Sequence, residues 1–120
     1  MSSEPTGALS QADASTIAWI FLAIGPDGGR LPGIIAAADA INHAVPMESE
    51  LQLAFRHLAR HGLVVRRGRR FVTTDAGRAM LERAHRGARF VMESWRELEA
   101  EIHRLDARSP GPAPAGTDAT

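Results

Sequence analysis

The apolar positions change period several times along the chain, and each change marks an element. IAWIFLAI, residues 17–24, is the longest unbroken apolar run. Ser10, followed three places on by Asp13, is an acidic variant of the capping box that starts a helix. That helix is apolar nearly all round through Ile17, Trp19, Ile20, Phe21 and Ile24, so it belongs at the centre of a core. GPDGG at 25–29 ends it, because Pro and three Gly leave no helical continuation. Pro32 fits the first turn of a second helix over about residues 32–43. AVP at 44–46 breaks it, since a residue before proline is pushed to extended geometry. A third helix covers about residues 47–61, MESELQLAFRHLARH, with Gly62 as its C-terminal stop. LVVRRGRRFVTT then places two short β-prone runs about Gly68 and reads as a hairpin, with either Arg67-Gly68 or Gly68-Arg69 as its loop. From Asp75 one long helix runs to about Ala107. The first nine residues and the Pro/Gly/Ala-rich SPGPAPAGTDAT carry no period and read as a disordered arm and tail.

On a helical wheel the third helix has two faces. Met47, Leu51, Phe55 and Leu58 fall on one side, with Ala54 at its edge, and pack on the first two helices. Ser49, Gln52, Arg56 and Arg60 fall on the opposite side, with His57 beside them. Glu48 and Glu50 lie on the flanks of the first turn, where the helix dipole favours carboxylates. The outward stripe combines hydrogen-bonding and cationic groups, suited to phosphates and to base edges in a major groove. It also describes an ordinary solvated helix face, and Leu53 interrupts it in a way that favours a protein contact.

Charge decides which reading gains. The net charge is zero, yet residues 1–50 hold one Arg against six carboxylates, and residues 51–78 hold seven Arg against Asp75 alone. A GC-rich coding bias accounts for some of the preference for arginine over lysine, but not for that clustering, which points to an anionic partner. Arg66, Arg67, Arg69 and Arg70 surround Gly68 within five residues. Like charges facing each other across a strand pair destabilise it, so such a tip either splays into water or meets an anion. The remaining composition is ordinary: 44% hydrophobic and 23% charged excludes wholesale disorder. The absence of cysteine excludes disulfides and thiolate metal sites. An eight-residue apolar run does not cross a bilayer, and no secretory signal is visible, so a cytoplasmic domain is expected.

LARHGLVVRRGRRFVTTDAGRAML, residues 58–81, resembles the stretch from recognition helix through wing in MarR- and PadR-type winged-helix regulators. The family's L-x-x-x-G-L-V stands here as Leu58, Gly62, Leu63 and Val64, and its T-x-x-G-x-x-L as Thr74, Gly77 and Met80, with Met for Leu. The resemblance covers about residues 12–81. It implies the third helix in the major groove and the hairpin as a wing on the backbone or minor groove. Ser49, Gln52, Arg56, His57 and Arg60 would then meet bases and phosphates, and Arg66, Arg67, Arg69 and Arg70 would hold phosphate. Val45-Pro46-Met47-Glu48 stands where such proteins usually carry a Ser/Thr-rich cap.

Leu81, Ala84, Ala88, Val91, Trp95, Leu98, Ile102 and Leu105 are spaced 3, 4, 3, 4, 3, 4, 3, a heptad seam that predicts dimerisation through the C-terminal helix. Its first half has the alternative of packing back on the first helix. Gly87 lies inside this helix, at a cost of about 1 kcal/mol against Ala, and marks a kink or a close crossing.

Other sites are weaker. Asn42 and His43 sit where the second helix must be capped. His57 and His61 stand at i, i+4 with Glu50 on a similar angle, a donor set that a metal-sensing regulator uses, but histidine in a basic stripe more often meets phosphate or water. No G-x-S-x-G elbow, paired carboxylates or phosphate-cradling loop is present, so neither an enzyme nor a cofactor is expected. The expected fold is mostly α: an arm at 1–9, a winged helix-turn-helix domain at 10–80, a long dimerisation helix at 81–108 and a tail at 109–120. The expected function is a homodimeric regulator of transcription binding double-stranded DNA. The rivals are a winged-helix protein-interaction module and a regulator responding to a small ligand or metal.

Overall fold

Helices and strands follow one another as α1 (Gln11–Ile24), β1 (Gly29–Arg30), α2 (Leu31–Asn42), α3 (Glu48–Arg60), β2 (Val64–Arg67), β3 (Arg70–Thr73), α4 (Asp75–His85) and α5 (Val91–Arg108) in the computed structural model, which describes residues 9–108. The expected arm and tail lie outside those residues except for Leu9, which packs against the core.

α1 is the central element. The Ser10 hydroxyl caps it by accepting from the Asp13 N–H at 3.0 Å, and Ile17, Ile20 and Phe21 are fully enclosed. It packs against α2, α3 and α5, and the Trp19 indole N–H donates to the Ala38 carbonyl of α2 at 2.9 Å. At the end of α2, His43 takes the left-handed conformation and its N–H bonds to Asp39. This is the helix closure expected for the Asn42-His43 corner.

The motifs around the hairpin have local physical reasons. α3 ends in a Schellman turn: the Leu63 N–H bonds to the Leu58 carbonyl at 2.9 Å and the Gly62 N–H to the Ala59 carbonyl at 3.1 Å, with Gly62 at φ 68°. Leu58 and Leu63 enter the core together. Thr74 caps α4 by accepting from the Gly77 N–H at 3.1 Å, while its hydroxyl donates to the Gly62 carbonyl at 2.6 Å. Gly77 is required by space, since a Cβ there would stand 2.2 Å from the Leu63 carbonyl oxygen.

β3 pairs antiparallel with β2, and Arg67 opposite Arg70 leaves Gly68-Arg69 as the two-residue loop. Gly68 has φ 62°, as the first central position of a type II′ turn requires. A third strand was not foreseen: β1 adds to the other edge of β3, pairing Gly29 with Phe71 and Arg30 with Arg70. Gly28 makes the approach possible, because a Cβ there would collide with the Phe71 carbonyl at 2.0 Å.

The C-terminal region corrects the expectation of one long helix. α4 stops at His85, Gly87 takes φ 79°, and α5 starts again at Val91 and folds back. Of the seam residues, Leu81, Ala84, Trp95, Leu98 and Ile102 lie in the chain's own core, and Leu105 packs partly against it. Ala88 and Val91 fall at the break, and Val91 is exposed. Trp95 stacks on Trp19 with ring centroids 6.3 Å apart, and its indole N–H donates to the Ser15 carbonyl of α1 at 3.0 Å. The Arg83–Glu101 pair, with two 3.0 Å contacts, and a 2.7 Å His85–Ser94 hydrogen bond tie α4 to α5. The boundary at residue 80 therefore does not separate two cores. No helix among the described residues is long and apolar enough to cross a membrane.

Candidate nucleic-acid interface

α3 begins with the Glu50 carboxylate reaching back to accept from the Met47 N–H at 2.8 Å. Leu51, Ala54 and Leu58 turn into the core, and the opposite stripe of Ser49, Gln52, Arg56 and Arg60 is exposed throughout. The Gln52 amide donates to Glu48 on the preceding turn at 3.4 Å. Leu53, which interrupts the stripe in sequence, is half-buried against the core.

The hairpin is fixed to α3 by an aromatic stack that the wheel did not reveal. Phe55 lies on Phe71 with centroids 4.1 Å apart and rings 8° from parallel. Arg66 lies opposite Phe71 in the sheet and places its guanidinium 5.9 Å from the same ring. Its Nε–H donates to the Gly68 carbonyl at 2.9 Å, which curls the side chain over the turn. Gln52, Arg56, Arg66 and the two phenylalanines line one cleft of about 360 Å³ between helix and hairpin.

Strand alternation divides the arginines between two faces. Arg66 shares the α3 side with Phe71. Arg67 and Arg70 are paired across the strands on the other side, and β1 adds Arg30 next to Arg70, making a three-arginine row. Arg30 sits in the acidic half of the sequence, and only the pairing of β1 brings it here. Arg69 occupies the tip. All five are exposed. Among the described residues, ion pairs are formed by Arg78, Arg83 and Arg104, so this cationic surface is not neutralised by the chain's own carboxylates.

His57 departs from the expected stripe. It is 6% exposed, on the edge of α3 next to the core residues Ala54 and Leu58. On a helix turning about 100° per residue, it lies closer to Ala54 than to Arg56. Its ring meets His61 at 4.5 Å between centroids, and the carboxylate near the pair is Asp106 of α5 rather than Glu50. Burial, helped by His61, pushes His57 down from 6.5 to about 4, with Asp106 opposing. Burial and then Arg60 lower His61. His57 is neutral at pH 7 and turned away from any ligand on the stripe.

Comparison of the chain with protein-family models, curated proteins and solved structures finds no match.

Proposed function

We propose that the chain is a winged-helix DNA-binding protein, a transcriptional regulator, with α3 in the major groove and the β2–β3 hairpin as the wing along the backbone. The observation that carries this reading is the exposed Ser49–Gln52–Arg56–Arg60 row, set beside a hairpin whose arginines form no ion pair among the described residues. The Phe55–Phe71 stack supports it by holding helix and hairpin in one relative position, so that both meet a duplex without a cost of mutual ordering. Thirteen residues make a helix of about 20 Å, and the groove is about 12 Å wide, enough for the stripe to reach several base pairs. Arg66 shares the groove side with Arg56, while Arg67, Arg69 and Arg70, together with Arg30, supply phosphate contacts.

The reading includes a homodimer, though not through the heptad seam. Phe90, Val91 and Met92 are consecutive and exposed at the α4–α5 corner, Phe90 at 68%, and they offer a second copy an apolar group set apart from the exposed Val45 and Met47 before α3.

Selection from randomised duplexes tests sequence readout. A two-fold dimer should enrich an inverted repeat with half-sites about one helical turn apart, or a multiple of it. Arg56→Ala should relax one symmetric pair of positions, losing about 1–3 kcal/mol of discrimination, with the fold unchanged. If nothing is enriched and Arg56→Ala binds every duplex as the wild type does, the chain is a protein-interaction module.

A further inference from the structure

His57 and His61 stand one turn apart at the end of α3, and Asp106 meets them from the last turn of α5. One donor atom from each lies within 4.8 Å of the other two. The cluster is enclosed: His57 is 6% exposed and Asp106 5%, with His61 half-buried. Both imidazole Nε2 atoms are shielded from solvent and have no hydrogen-bond partner among the described residues. Asp106 Oδ2 accepts from the Leu9 N–H at 3.2 Å, which orients the carboxylate. Buried polar nitrogens are rarely left without partners, and two of them beside one enclosed carboxylate call for a common ligand.

Two imidazoles and a carboxylate suit a borderline-soft divalent ion and leave a fourth position for water. Calcium and magnesium are disfavoured because they take oxygen ligands. Donor atoms around a tetrahedral zinc at about 2.0–2.1 Å stand roughly 3.3 Å apart. The three side chains therefore close inward on binding. We propose that His57, His61 and Asp106 form a divalent transition-metal site that fastens the end of α5 to the end of α3. The site does not depend on α3 meeting DNA.

The full chain, stripped with chelator and desalted, is titrated with Co²⁺ and then with Zn²⁺. The expected result is one Co²⁺ per chain with the visible absorption of a tetrahedral site, displaced by one equivalent of Zn²⁺, and a thermal midpoint raised by Zn²⁺. His61→Ala and Asp106→Asn, chosen because truncating the enclosed His57 to Ala would open a cavity whereas asparagine keeps the shape of the Asp106 side chain, should keep the wild-type circular dichroism and bind at least tenfold more weakly. No stoichiometric uptake by the wild type overturns the proposal. So does uptake undiminished in His61→Ala, which would assign the ion to other histidines. Uptake lost in His61→Ala but unaltered in a folded Asp106→Asn overturns the three-ligand site.

Discussion

Two stretches of this chain carry strong helical periodicity, and they end in opposite environments. On α3 the polar stripe from Ser49 to Arg60 stands in water, beside arginines that form no ion pair among the described residues. On α4 and α5 the apolar seam from Leu81 to Leu105 is folded back, with Trp95, Leu98 and Ile102 against α1. The difference is one of information. Apolar spacing says that a face must be covered, but not whether the cover comes from the same chain or another. A cationic stripe that the fold leaves bare makes no such demand, since water covers it as well as an anion does, and the proposed function takes the cover to be DNA.

The largest test of this contrast is Trp95→Ala. If the seam is core, losing this side chain with its Trp19 stack and its hydrogen bond to Ser15 costs about 3–5 kcal/mol. Urea unfolding should show that loss independently of protein concentration. A variant equally stable but shifted from dimer to monomer would return the seam to an interface between chains.

His57 lies at the edge between the two regions and makes their boundary sensitive to pH. Its folded pKa of about 4 lies below the ordinary 6.5, so the unfolded chain takes up the proton first as pH falls. In chelator-treated protein, stability should be undiminished by this group above about pH 6.5 and fall as pH drops towards 4, by at most about 3 kcal/mol. Denaturation midpoints at pH 7 and pH 5 check this. A His57→Leu variant that keeps the same pH slope would show that other groups cause it.

The smallest effect has the most particular sign. Arg70 faces Arg67 on one side and Arg30 on the other, and like charges directly opposite destabilise a sheet. Arg70→Thr should therefore stabilise the fold by about 0.2–1 kcal/mol at low salt while weakening duplex binding. A variant that loses stability would mean the row serves the fold itself.

These contrasts also explain what was legible in the residues. Ser10, Gly62 and Thr74 act through helix caps within a few residues, Gly77 through its close approach to the Leu63 backbone across the hairpin, and each stands where its motif placed it. Buried and exposed faces of α3 followed the wheel except at two positions. Met47, expected in the core, is the N-cap residue and is 61% exposed, and His57 lies on the flank, its burial depending on α5, a distant element. The broken C-terminal helix was misread because the 3, 4 spacing carries across Gly87 without interruption, while φ 79° there turns the chain. Arg30, Phe71 and Asp106 reach their places through strand register and helix packing, and a two-residue strand leaves no period to read.

The salt dependence of duplex binding tests the central proposal most directly. With about 4–6 phosphate contacts per protomer and about 0.9 counterions released at each, log K should fall steeply with log salt. Replacing Arg69 and Arg70 by Ala should flatten that slope by roughly 2 per protomer and weaken all duplexes alike. A slope unchanged by the double replacement contradicts a wing on DNA.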